Sequence, residues 1–328
     1  MMALGEPGRR PYACRMTIRF VSLICLATTL LWGNTWQEDL EAAGRARAIG
    51  DTRVALAALE SARRTAPDGL PMALTLTRLG SVQLEAGQIL AARDTLSLSL
   101  EIWRAAAPAD PASAIAMEGL EAVYARLGQW AKAERFGRMA LQTKEQALGP
   151  QDPELAGPLQ SLAAVVQSER RYDEAWQLYA RALQVQRNGG GNAAAAQIHS
   201  NLGMLLDEMH RPQDAIEEEQ RAIAIWEKAE PQSPRLAAGL TNLAALYCRQ
   251  RRWAEAKEPI DRARELVIAA YGPAHPLLDP ILHTYAAVLR GLGEKKKAQE
   301  MERTAAEFHR RVARETGAGY TVDARSFQ

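Results

Sequence analysis

Five histidines (His199, His210, His275, His283 and His309) and three cysteines (Cys14, Cys25 and Cys248) are the side chains here best suited to metal binding or nucleophilic catalysis. Their spacing supports neither. HExxH, CxxC, GxSxG and GxxxxGK[ST] are all absent. The sequence therefore lacks the patterns that pair two imidazoles on one helix face, raise a nucleophile on a sharp elbow, or wrap main-chain N–H groups around a phosphate. His199 and His210 stand eleven residues apart, close to three helical turns, but a turn is expected at His210 and no Cys, Asp or Glu completes a ligand set. The run Arg187-Asn188-Gly189-Gly190-Gly191-Asn192 lacks the preceding strand and following lysine of a phosphate loop, and reads as a linker. Cys14 and Cys25 fall in an N-terminal leader. Cys248 is then alone, unable to form an internal disulfide or a structural zinc site, and its expected helical position gives it the part of a small buried apolar residue. Glu217-Glu218-Glu219 and Lys295-Lys296-Lys297 read as solvated helix faces. No catalytic residue, metal or cofactor is expected, and no small-molecule substrate.

The elements that must carry any binding surface are helices. Ala, Leu, Glu, Arg and Gln dominate the 328 residues and aromatic residues make up 6%, a composition whose side chains lose little entropy in a helix. The formal net charge is +1, but residues 1–33 hold Arg9, Arg10, Arg15 and Arg19 against Glu6 alone, which leaves the remainder at −2. A near-neutral chain argues against non-specific nucleic-acid binding, which needs a basic face to displace counterions.

Phe20 to Trp32 is a run of 13 uncharged residues preceded by Arg15 and Arg19. A basic segment followed by a run of this length reads as a secretory signal, and it is short for a spanning helix of about 20 residues. No small-x-small pair marks a cleavage site after it, so an uncleaved signal anchor that attaches the chain to a membrane through residues 20–32 stays open beside export. Trp32 and Trp36 suit such an interfacial anchor. Met16 is an alternative start to Met1.

The rest of the chain repeats itself. Ala55, Ala92, Ala133, Ala175, Ala215, Ala256 and Ala298 recur at intervals of 37 to 42 residues, and seven positions later stand Ala62, Ser99, Ala140, Ala182, Ala222, Ala263 and Ala305. Small residues two turns apart form a flat stripe along which another helix can approach closely. Thirteen residues before these anchors come Leu79, Leu120, Leu162, Leu202, Leu243 and Tyr285, with Ala42 in the first copy. The next position is small in every copy except at Glu121. Five residues before the anchor, four copies have glycine (Gly50, Gly87, Gly128, Gly293), suited to a left-handed turn between two helices. Arg170, His210 and Arg251 hold that place in the others, where the turn is less favourable but allowed. Prolines at 108, 111, 150, 153, 231, 234, 273 and 276 break the later linkers. Each unit thus predicts helix A, tight turn, helix B and linker.

This pattern resembles the tetratricopeptide repeat (TPR), and its pitch of about 42 residues, with linkers such as LGPQDPELA and YGPAHPLLD, resembles the kinesin-light-chain-like form. The resemblance implies an all-α, right-handed superhelical solenoid of about seven antiparallel helix pairs over residues 36–311, between a signal or anchor at 1–35 and a tail at 312–328. It implies a non-catalytic scaffold that binds another protein or an extended peptide along the concave A-helix face. An asparagine fourteen residues before the anchor faces that groove in such arrays, and Asn201 and Asn242 match it, with Ser161 and Thr284 as shorter substitutes. Gln160, Ser200, Thr241 and His283 precede these residues, and Gln167, Asp207 and Arg290 lie further along the same helices. A carboxamide both donates and accepts, so it can satisfy an extended main chain. The same asparagines could instead bridge neighbouring helices. An accessory subunit of a membrane-associated assembly, docking through its convex face or its ends, is the alternative to groove binding, and the leader and linker style suggest a bacterial protein that is periplasmic, secreted or held at the inner membrane.

Overall fold

The computed structural model describes residues 35–107, 110–188 and 193–316. The leader, the Gly189–Gly191 run and the end of the tail lie outside the described residues. Fourteen α-helices and one 3-10 turn, with no strand, make up the described part. α1 (residues 35–48) pairs with α2 (Thr52–Thr65), α3 (Leu70–Glu85) with α4 (Ile89–Ala106), and α5 (Ser113–Arg126) with α6 (Trp130–Leu148). After the 3-10 turn Pro153–Leu155, α7 (Ala156–Ser168) pairs with α8 (Tyr172–Asn188), α9 (Ala193–Glu208) with α10 (Pro212–Ala229), α11 (Pro234–Arg249) with α12 (Trp253–Tyr271), and α13 (Leu278–Gly291) with α14 (Lys295–Thr316). The odd-numbered helices are the predicted A helices and the even-numbered the B helices. The chain forms two compact units, one ending at Thr143 and one beginning at Lys144, within α6.

All seven expected inter-helix turns are left-handed. Gly50, Gly87, Gly128 and Gly293 have φ between 68° and 81°, and Arg170, His210 and Arg251 adopt 62°, 57° and 59°. The turn geometry is therefore imposed by the pairing of the helices even where the side chain opposes it, at a cost of roughly 1 kcal/mol or more per non-glycine residue. Arg251 is exposed, so replacing it removes strain and little else. Arg251→Gly is expected to raise stability by about 0.5–1 kcal/mol, the relief of strain being partly offset by a more flexible unfolded chain. An unchanged or lower denaturation midpoint would show that the side chain earns its place by some other contact.

The small anchors lie at the centre of each pair. All fourteen, Ser99 included, are at most 1% exposed. Ser99 keeps its hydroxyl satisfied by donating to the Ala73 carbonyl at 2.7 Å. Four residues beyond the first anchor, helix B sends a large side chain across to the A helices: Leu59, Leu96, Tyr179 and Ile260 are all almost completely buried. Leu96 is wedged against two glycines. A Cβ on Gly80 of α3 would lie 2.4 Å from its Cγ, and one on Gly119 of α5 would lie 2.8 Å from its Cδ1. The knob on the B helix thus requires the gaps on the A helices.

That register also explains Glu121, which broke the small-residue pattern. It stands where Gly80 stands one copy earlier, and the register sets it opposite Gly137 of α6, which takes the place of Leu96. Large and small have changed sides, and Gly137 and Glu121 are both buried. Burial, reinforced by the neighbouring Glu118, pushes the Glu121 carboxyl up to about 8. A desolvated carboxyl holds its proton because the anion has lost its water.

Two expectations are corrected by the packing. Trp36 is part of the fold, not an interfacial anchor: its Nε1 donates to Thr75 Oγ1 at 2.8 Å, and the ring packs on the core formed by α1, α2 and α3. Cys248 is partly exposed instead of sealed in a core. No described helix is long and apolar enough to cross a membrane.

Candidate functional site

All eleven residues expected to line a groove lie on the A helices of the second unit, α7, α9, α11 and α13. α7 packs against α9, and α11 against α13. α9 and α11 are joined by side chains: Asn242 Nδ2 donates to Ser200 Oγ at 3.4 Å, and Arg249 pairs with Asp207 at 2.8 Å. These contacts run one position out of step with the repeat: Asn242 corresponds to Asn201 in the register but touches Ser200, and Arg249 lies one position beyond the counterpart of Asp207.

They are not equally open. Ser161 and His283 are exposed, and Gln160, Gln167, Asp207, Asn242 and Thr284 are half-buried. Ser200, Asn201 and Thr241 are turned in, with 2%, 7% and 8% exposure. Thr241 donates back to the Ala237 carbonyl of its own helix at 2.7 Å. Asn201 accepts from Gln197 Nε2 at 2.9 Å, and the buried Tyr179 of α8 donates from its hydroxyl to Gln167 Oε1 at 3.3 Å. Burial pushes the Tyr179 phenol well above its usual range. At these positions the carboxamide and hydroxyls are spent within the protein. His283 faces Asp279 of its own helix at 3.5 Å, and Arg290 is ion-paired with Glu302 of α14.

The residue missed from the sequence is Glu219. Read as part of a solvated acidic run, it is in fact fully buried, while Glu217 is exposed and Glu218 is held by His199 at 2.6 Å and by Arg221. The reason is register: Glu219 stands four residues after the anchor Ala215, in the slot that Leu96, Tyr179 and Ile260 fill elsewhere. Its carboxyl enters between α9 and α11. A Cβ on Gly203 would lie 3.4 Å from Oε2 and one on Gly239 would lie 3.1 Å from Oε1. Ser200 Oγ is 3.0 Å from both oxygens, and Asn242 Nδ2 donates to that same Ser200 Oγ at 3.4 Å. Desolvation raises the acid to about 8, against the pull of the Ser200 and Asn242 hydrogen bonds toward the anion. The repeat alignment carried the signal, had the slot been read for burial before the residue was read for charge.

Other concave features are minor. A cleft of about 590 Å³ between the α7–α8 and α9–α10 turns is lined by Arg170, Arg171, Glu174, Glu208 and His210 among others, and Arg171 is paired with Glu174 across its wall. No group of three potential metal ligands occurs among the described residues.

With helix pairs, small anchors and inter-repeat contacts in place, the class of protein is defined: a helical-repeat interaction scaffold. The tetratricopeptide repeat matches residues 71–146, 154–228 and 235–311, more than half of the chain, and the chain belongs to that family. Similar solved structures include the TPR-like repeats of a kinesin light chain from Podosopora anserina (18% identity, 62% of this chain and 98% of that one, TM-score 0.54). A tetratricopeptide repeat protein from Parabacteroides merdae is 18% identical over 84% of this chain and 93% of its own, with a TM-score of 0.57. A Rap protein complexed with Competence and Sporulation Factor is 15% identical over 87% of each chain, with a TM-score of 0.59. Identities this low speak for the fold alone. No curated protein matches the sequence.

Proposed function

We propose that the protein is a non-catalytic scaffold that binds an extended peptide or protein segment along the A helices of its second unit. The observation that carries this reading is the half-buried Asn242. It is anchored from below through Nδ2 and lies between the exposed Ser161 on one side of the ladder and the exposed His283 on the other. A carboxamide held in this way offers its remaining groups to a main chain without first losing rotamer freedom, which favours binding. Asn201, 7% exposed and bonded to Gln197 of its own helix, supports that surface from within. The Rap protein in complex with its factor is a solved example of this fold with a ligand bound.

A screen of unstructured peptides against the wild-type chain and Asn242→Ala tests the reading. Binders are expected, and Asn242→Ala is expected to weaken them about tenfold, the value of one or two main-chain hydrogen bonds. Binders indifferent to Asn242 but lost on changing Leu98 or Trp176, which are exposed on the B helices, would point to docking through the convex face.

The uncharged run at residues 20–32 supports export or attachment to a membrane. Fractionation of cells with intact mass of the recovered chain distinguishes them: a soluble exported species cut near Gly33 means a free scaffold, a membrane-bound species of full mass an anchored one. A soluble, uncut cytoplasmic species would overturn both.

A further inference from the structure

We propose that Glu219 is a positioning residue for this surface: its carboxyl, set between α9 and α11, ties Ser200 to Asn242 and decides which hydrogen-bonding face Asn242 presents to a bound peptide. The inference rests on the groove reading for its purpose, but its geometry stands in the free protein.

The placement is specific. Glu219 comes from the B helix α10, behind the ladder, and reaches through to touch both A helices in front of it. Both contacts are made at glycines: a Cβ at Gly239 would crowd the Trp226 ring and Glu219 Oε1, and one at Gly203 would touch Oε2 and crowd the Ala215 carbonyl of α10. Ser200 reaches both oxygens, and Asn242 reaches Ser200, so the carboxyl is linked to Asn242 through the Ser200 hydroxyl. Leucine, tyrosine or isoleucine fills the same slot in other copies without the desolvation cost of a carboxyl. The carboxyl instead occupies the one slot that lies directly behind the half-exposed Asn242.

The groups facing it from each packed element are few. α9 brings Ser200, and its neighbour His199 is turned to Glu218. α11 brings Asn242, and Tyr247 of that helix accepts from Gln220 at 3.3 Å. α10 itself adds the Trp226 ring, which crowds Gly239 beside Glu219 Oε1. No cation is among the causes of its raised proton affinity. With no neutralising partner, the carboxyl is neutral at pH 7 and becomes an anion near pH 8.

The two forms act differently on Asn242. The anion has only acceptors, so it holds the Ser200 O–H with a charge-assisted hydrogen bond, and the Ser200 oxygen is left to accept from Asn242 Nδ2. Asn242 then shows its carbonyl oxygen outward, to a peptide N–H. The neutral acid has an O–H donor of its own and holds the amide less firmly, leaving Asn242 free to offer its NH₂ to a peptide carbonyl. The proton on Glu219 therefore sets the polarity of the ladder at its centre.

The test needs no ligand. In NMR spectra of the full chain with labelled glutamate and asparagine, the Glu219 carboxyl carbon is expected to titrate near pH 8, and the Asn242 side-chain amide protons to move downfield with the same midpoint. Glu219→Gln, which keeps shape and hydrogen bonding, should leave the Asn242 signals flat across that range. Ser200→Ala should raise the Glu219 midpoint further, because the anion loses a donor. A Glu219 midpoint near 4.5, or Asn242 signals indifferent to it, overturns the proposal. A peptide screen without binders would leave this coupling standing and overturn only the groove reading.

Discussion

Glu219→Gln is expected to make the second unit more stable above pH 8 and to flatten its stability between pH 4.5 and 8. The carboxyl has an ordinary value of 4.5 in the unfolded chain and about 8 in the folded one. Folding therefore tightens its hold on the proton. The stabilisation is complete below pH 4.5, where both states are protonated. It is lost progressively as pH rises to about 8, because the unfolded chain ionises freely in water while the folded one cannot. Above that the curve is level again. Each tenfold difference in proton affinity is worth about 1.4 kcal/mol, so the loss reaches a few kcal/mol for this one group. Glutamine has the same shape, keeps donors and acceptors for Ser200 and Asn242, and does not ionise. Glu219→Ala behaves differently: it opens a cavity and leaves Ser200 and Asn242 without their partner, costing about 2–4 kcal/mol at neutral pH. Amide hydrogen exchange, read separately over the helices of each unit, is the measurement, because a chain of two units need not unfold in one step. If the second unit of Glu219→Gln keeps the wild-type pH slope, the buried acid is not its source. Glu121 supplies a similar slope in the first unit, with its own value near 8, and serves as an internal control that Glu219→Gln leaves untouched.

The second large effect concerns Leu96 and the glycines it fills. Leu96→Ala is expected to destabilise the first unit by about 2–5 kcal/mol, the range for emptying a buried leucine site. Gly80→Ala should also destabilise it. Alanine favours the helix by about 1 kcal/mol over glycine, but its Cβ would stand 2.4 Å from Leu96 Cγ, and overpacking of this kind costs about 1–3 kcal/mol. The double substitution is the informative one. With Leu96 gone the new methyl group has room, so Gly80→Ala in the Leu96→Ala background should stabilise. Denaturant midpoints of the four chains form a cycle whose coupling is expected at about 1–3 kcal/mol. Additive effects would mean that Leu96 and Gly80 do not share one packing site.

How much was legible beforehand follows from the same pairs of residues. The anchors Ala55 to Ala298 and their partners seven residues on were readable as helix-packing stripes, and all are buried. Spacing along a helix maps directly onto a face, and small size at a recurrent spacing has no other use. The turns were legible where they hold glycine. At Arg170, His210 and Arg251 the sequence left the geometry open, because a basic residue does not by itself favour a positive φ, and the closed helix pairs impose it. The register placed Asn242 and Ser200 on neighbouring A helices, but the contact between them is one position out of step with the equal-position ladder the repeat predicts.

Sequence by itself thus determined the helix pairs, the repeat register and the membership of a tetratricopeptide array, because these rest on local periodicity and the size of side chains. Only the tertiary structure decided which polar residues remain available. Ser200, Asn201 and Thr241 carry the same groups as the more open Ser161, Asn242 and Thr284, and Glu219 sits in an acidic run that looks solvated. Whether such groups meet water or one another depends on what the next helix places opposite them: a glycine that admits a carboxyl, or a tyrosine that consumes an amide. That choice is made across helices far apart in sequence, where periodicity along one helix has nothing to say.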